Sequence, residues 1–133
     1  MINLKDIALD TKETIVEFPG FDGFKITLAY VSRQTSKSIL EQSEKKVFKN
    51  GMHVENKRDD EKFADLYTAA AIKGWTGLTL EHISHLMLVD IGARDPKDEV
   101  PYSADNAKML FTNSAVFSAF VDRSVFEIET FRS

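Results

Sequence analysis

The chain has 133 residues, 43% of them hydrophobic and 29% charged, with a formal net charge of −4. That length suits one domain able to bury roughly two thirds of its unfolded surface, and that balance excludes disorder by composition. The lack of cysteine excludes disulfides, thiolate metal sites and cysteine nucleophiles, and an acidic chain without a long basic run is a poor partner for nucleic acid.

The N-terminus, Met1-Ile2-Asn3-Leu4-Lys5-Asp6, has no basic segment leading into an apolar run, so no signal peptide is expected. No apolar run approaches the ~18 residues of a membrane helix, so no membrane partner is expected either. Residues 1–13 mix Leu4, Ile7 and Leu9 with charges at no regular period and read as a flexible N-terminal arm. The segment Thr14-Ile15-Val16-Glu17-Phe18 is β-branched and aromatic. After it, Phe24, Ile26, Leu28 and Tyr30 alternate with Lys25, Thr27 and Ala29, the period of a half-buried strand. Pro19-Gly20 and Asp22-Gly23 supply turn geometry between the two runs, so a β-hairpin is predicted over 14–31.

Ser32 is a suitable N-cap for a helix from about Arg33 to Phe48, with Ile39, Leu40, Ser43 and Val47 on a thin apolar stripe. Lys45, Lys46 and Lys49 form the densest basic group, interrupted by Glu41 and Glu44, and read as a solvated helix face. Asn50-Gly51 is read as its stop, and 52–58 as a connection with a short extended piece. Asp59, Asp60 and Glu61 then place negative charge where a helix N-terminus favours it. Phe63, Leu66, Tyr67 and Ala70 share one face of that helix, and Gly74 is its expected stop.

Trp75, the only tryptophan, lies between Gly74 and Gly77. It is expected to be a buried anchor between this helix and the C-terminal pair, in concert with Pro101 and Tyr102. Thr79 can cap a short turn from Leu80 to Leu88, and Asp90 to Glu99 reads as an exposed loop. Ser103 caps the next helix, with Ala107, Leu110 and Phe111 facing in, and Asn113-Ser114 breaks and recaps it. The last helix, about Ala115 to Thr130, puts Phe117, Phe120, Val121, Ser124, Val125 and Ile128 on one face. It is expected to pack on the helix before Trp75, with Leu66 and Phe120 fully buried. The fold class is therefore α+β, a mainly α-helical single domain over 14–133 with an N-terminal β-hairpin.

No reaction centre emerges. His82 and His85 share a helical face, but no further ligand stands at a metal-binding spacing, so both read as polar surface residues. Asp90, Asp95, Asp98 and Glu99 miss the calcium-loop pattern, because Gly92 and Asp95 fall where an oxygen ligand and the central glycine are needed. Neither a nucleophile elbow nor a glycine-rich phosphate loop is present. The expectation is a protein that is not an enzyme and uses no metal or cofactor; a small metal-dependent enzyme built on His82 and His85 is the catalytic alternative.

One aromatic lies off the core face. On a helical wheel Phe126 falls roughly 180° from Phe117, on the side of Ala115, Ala119, Asp122 and Thr130. A large ring beside small residues suggests partner binding by Phe126, Ala119 and Ala115; the alternative is coverage by 81–99 or by the N-terminal arm.

The stretches Lys73-Gly74-Trp75-Thr76-Gly77-Leu78-Thr79-Leu80 and Glu99-Val100-Pro101-Tyr102-Ser103-Ala104-Asp105-Asn106-Ala107 resemble tail assembly chaperones of long-tailed bacteriophages. In those proteins a Gly-Trp-x-Gly element follows a helix and a Val/Leu-Pro-Tyr/Phe-Ser-x-Asp/Glu-Asn-Ala stretch opens another. The hairpin around Phe24–Leu28 and the final segment Asn113–Val121 are similar too, so the resemblance covers most of 14–131. The departure is Glu81–Glu99, longer than the tight link such proteins suggest. The resemblance implies a chaperone that binds the tape measure protein, keeps its apolar helices soluble while the tail tube polymerises, and can recruit tail tube protein. It implies residence in the cytoplasm of the infected bacterial host and absence from the mature virion, and for many such proteins a longer, frameshifted form. Association of the chain with itself as a homo-oligomer is also expected. The alternative of another class is a small structural tail or head–tail connector protein that stays in the particle.

Overall fold

The computed structural model describes residues 1–49 and 53–132. The predicted hairpin forms from β1 (Glu13–Glu17) and β2 (Lys25–Ala29), antiparallel, with Val16 opposite Ile26 and Thr14 opposite Leu28. The Phe18 N–H donates to the Phe24 carbonyl at 2.9 Å and closes the turn. Ile26 and Leu28 point into the core, fully buried, while Ile15 and Lys25 lie on the open face. That is the alternation the pleat imposes on a sheet covered on one side.

A third strand was not predicted. β5 (Ile72–Thr76) pairs antiparallel with β2, giving the order β1-β2-β5. The helix before it, α3 (Asp60–Ala71), stops at Ala71, three residues short of Gly74, and Ile72 is already extended at φ −110°. The strand was hidden by an irregularity in its pairing. Trp75 opposes Ile26 and Gly74 opposes Thr27, but Leu28 opposes Ile72, so Lys73 is an extra residue. Such a bulge resets the alternation. Ile72 and Trp75, three apart, therefore both face the core, and no period of two is visible in the sequence.

The helix α2 (Arg33–Gln42) starts at Ser32, whose hydroxyl accepts from the Thr35 N–H at 3.1 Å. It ends at Gln42 and not near Phe48. The hydroxyl of fully buried Ser43 donates to the Ile39 carbonyl at 2.6 Å, and the Ser43 carbonyl accepts from Asp59. Both bonds turn the chain out of the helix. Beyond it β3 (Glu44–Lys49) and β4 (His53–Arg58) form a separate two-stranded antiparallel sheet. Val47 thus belongs to a strand, 53–58 is a strand where a connection was expected, and Asn50-Gly51 lies outside the described residues.

In α3 the buried face is Ala64, Tyr67, Thr68 and Ala71, at the spacing of one helical stripe. Leu66, expected at full burial, lies beside that stripe and is only partly buried against the core. The other helices are α1 (Leu4–Ile7), α4 (Leu80–Leu86), α5 (Ala104–Asn113), α6 (Ala115–Val125) and α7 (Ile128–Phe131). Thr79, Ser103 and Ser114 cap α4, α5 and α6 through their hydroxyls.

The expected last helix is broken in two. The Val125 carbonyl accepts from the Val31 N–H at 3.1 Å, Phe126 is the C-cap, and the chain restarts at α7. Ile128 is consequently exposed, and Phe131 is buried in its place, edge-on to Tyr30 at 5.7 Å. Nor does α6 lie chiefly along α3. It packs on α5 and across β2, while α3 packs on α5 and β5, because β5 carries the chain from the end of α3 into the sheet. The class is α+β and mainly helical, as predicted.

The core joins sheet to helices through aromatic rings. Phe18 meets Phe24 at 5.5 Å, Phe117 at 6.1 Å and Phe120 at 4.8 Å. Residues 1–9 are exposed, and attachment of the arm begins at Asp10, which accepts from the Ser32 hydroxyl at 2.8 Å. The Thr11 hydroxyl donates to the Tyr30 carbonyl at 3.0 Å, and Tyr30 N–H donates to the Lys12 carbonyl.

Candidate interaction surface

The two motif stretches meet at Trp75. The strand turns its indole inward, where Nε1–H donates to the Val100 carbonyl at 2.9 Å. The ring stands edge-on to Tyr102 at 5.3 Å, to Phe24 at 6.4 Å and to Phe117 at 6.5 Å. The Tyr102 hydroxyl donates to the Ile72 carbonyl at 3.0 Å, and the Asn106 amide to the Pro101 carbonyl at 3.0 Å. Val100 N–H donates to Leu78 at 2.7 Å, and a bridge pairs Thr79 with Glu99. Pro101 itself is exposed, and Gly74 is a strand residue without a positive φ. Gly77 has φ +74° and lies so close to the Gly23 carbonyl that no Cβ fits between them. Among the described residues no buried side-chain nitrogen or oxygen lacks a partner, so what this knot does chemically is hold the end of β5, the 78–100 segment and the start of α5 together.

The histidines are divided. His82 Nδ1 accepts from the Thr79 N–H at 3.2 Å, and its ring stacks on Phe21 at 5.0 Å. His85 is exposed. Among the described residues no three His, Asp or Glu side chains come together as a metal site. His82→Ala removes half of the capping box and one stacked pair, and should cost about 1 kcal/mol in chemical denaturation. His85→Ala should leave the denaturation midpoint in place.

The second place is the end of α6. Phe126 is 47% exposed, and its ring stands edge-on to Tyr67 at 6.1 Å. Tyr67 stacks on Phe111 at 5.1 Å and packs beside Phe63 at 5.5 Å. Its hydroxyl donates to Asp122 Oδ1 at 2.6 Å. Burial, and then the bond to the Asp122 carboxylate and its charge, push the phenol far above its ordinary range, so it stays protonated and remains the donor. The rigid support of Phe126 is thus an α3–α6 link. The 81–99 segment closes on itself, Leu80 and Glu81 donating to Asp98 and Pro96, and its Ile83, Met87 and Val89 gather with Trp75 and Leu78.

Across from Phe126 a groove of about 760 Å³ is lined by Arg33, Gln34, Ser36, Lys37 and Leu40 of α2. Ala119 and Ala115 are exposed on α6 but do not line it. The groove beside the ring is thus formed with α2, and the two alanines lie on α6 outside it. Of these α2 side chains only Leu40 was assigned, to the apolar stripe with Ile39, and it is exposed instead. Their approach to Phe126 is tertiary and leaves no local signal, apart from exposed Leu40 among polar neighbours. A second apolar surface gathers Leu9, Tyr30, Ile128 and Phe131 around a cavity of about 510 Å³ near the arm, whose Ile2, Leu4 and Ile7 are exposed.

A sequence model of a protein family described as YdaY prophage protein matches residues 22–133. No curated protein and no solved structure gives a significant match.

Proposed function

Since the chain belongs to the YdaY prophage protein family and is phage-related, we propose that it acts as a tail assembly chaperone, binding the tape measure protein and keeping it soluble while the tail tube forms. The reading rests on the motif resemblance, and the observation that carries it in three dimensions is Phe126. A phenylalanine 47% exposed, braced from behind by Tyr67 and facing a groove, is a built apolar contact left partly open by the described residues. In this reading the protein performs no catalytic step, needs no cofactor, works in the cytoplasm of the infected bacterium, and does not remain in the virion. Tail tube protein and a second copy of the chain are the further partners proposed.

Co-expression with the tape measure protein of the same prophage tests it. The wild-type chain should hold that protein in the soluble fraction. Phe126→Asp should keep the helical circular dichroism and the melting temperature but lose most of the solubilisation. A variant that still solubilises fully, or a wild type that never does, would overturn the assignment. Mass spectrometry of purified virions separates the chaperone from a structural tail or connector protein, which would be found in the particle.

A further inference from the structure

We infer that the α2–Phe126 groove takes an acidic amphipathic helix of another protein, one with carboxylates about a turn apart flanking an apolar side chain. This rests on the chaperone reading and names the chemistry of the segment bound. Arg33, Lys37 and Leu40 stand at i, i+4 and i+7, so two cations and a leucine form one stripe along α2 facing Phe126. Among the described residues no carboxylate lines the groove and neither cation has an ion-pair partner. Of the carboxylates around it, Asp10 accepts from Ser32 and from Thr35 and Asp122 from Tyr67, while Glu41 and Glu127, next in sequence to Leu40 and Phe126, are exposed and do not line it.

The cations are also placed against local stability. Arg33 opens α2, whose first turn contains no acidic residue, although the helix dipole there disfavours positive charge. Lys37 one turn on adds like-charge repulsion. Within α2 only Glu41, one turn beyond Lys37, offsets these terms. An anionic occupant relieves both terms, and its apolar residue fills the space between Leu40 and Phe126. A second copy of the chain is a poorer fit, because Glu61 and Asp65 on its acidic helix α3 are already held by Lys108 at 3.3 and 2.9 Å.

The test uses two synthetic amphipathic helical peptides with the same apolar face, one flanked by glutamates and one by lysines. Fluorescence anisotropy should show the glutamate peptide binding on the order of tenfold tighter at low salt, with the gap closing at high salt. The double variant Arg33→Glu, Lys37→Glu should keep the helical circular dichroism of the wild type and invert the preference. Equal binding of both peptides, no binding of either, or a preference unchanged by charge reversal overturns the proposal. So does sedimentation showing that the reversal dissolves a wild-type oligomer, since the occupant is then a second copy. The tape measure assay reads separately. Solubilisation indifferent to charge reversal removes the acidic-helix proposal and leaves the chaperone. Charge-selective peptide binding without solubilisation leaves the groove and removes the chaperone.

Discussion

Trp75→Ala should lower stability by about 3–5 kcal/mol, the range for removing a large buried aromatic, and the melting temperature by roughly 10 °C or more. The ring is 8% exposed and stands edge-on to three aromatics, Phe24 just before β2, Tyr102 just before α5 and Phe117 of α6. Removing it leaves a cavity where sheet and helices meet and strips the Val100 carbonyl of its donor. Trp75→Phe divides these contributions. It keeps most of the apolar contact and loses the hydrogen bond, so it should cost about 1–3 kcal/mol. As the only tryptophan, Trp75 also reports on itself: its native emission should be blue-shifted and weakly quenched by acrylamide. Red-shifted emission with ready quenching, or a loss under ~1 kcal/mol for the alanine variant, contradicts the buried anchor.

Local chemistry made the punctuation of this fold legible. Ser32, Thr79, Ser103 and Ser114 cap the helices as their side chains suggest, because a cap needs only a hydroxyl and the next three residues. The first hairpin was legible because its strand alternates cleanly. β5 was not, because a bulge set Ile72 and Trp75 three residues apart and because no glycine or proline parts it from α3. A helical wheel carried through Phe126 placed Ile128 inside. The chain breaks at Val125, where a carbonyl otherwise free at a helix end is taken by a strand residue. The lysines of 45–49 favour a helix by propensity and carried the predicted helix to Phe48, where the structure begins β3 at Glu44.

The candidate surface was half legible for the same reason. The wheel marked Phe126 as lying off the core face, and it is exposed. Its companions could not be found that way. Arg33 and Lys37 lie far away in sequence, and only the return of the chain through β2 and α6 brings them opposite the ring. Ala115 and Ala119 shared the wheel with Phe126 but not the groove. A wheel describes one helix, and this groove belongs to two.

Three glycines give the sharpest check on the packing around Trp75. Gly74→Ala should change stability by less than about 0.5 kcal/mol: the residue has no positive φ, and a Cβ there would meet only Thr27 Oγ1, at 4.0 Å. Gly20→Ala should cost about 1–2 kcal/mol, because φ +85° disfavours a Cβ although nothing lies within 4 Å of it. Gly77→Ala should cost about 3 kcal/mol or more, since it adds to a φ of +74° an overlap with the Gly23 carbonyl. That carbonyl is backbone, held in a turn where Gly23 itself has φ +81°, and it cannot swing aside as a side chain would. To admit the methyl group the hairpin turn must separate from the end of β5, and the Lys25–Thr76 and Ile26–Trp75 pairs stand directly beside it. The loss should therefore appear as faster amide exchange along β5 as well as a lower denaturation midpoint. If Gly77→Ala costs no more than Gly20→Ala, the two backbones do not touch, and the seat assigned to Trp75 is wrong.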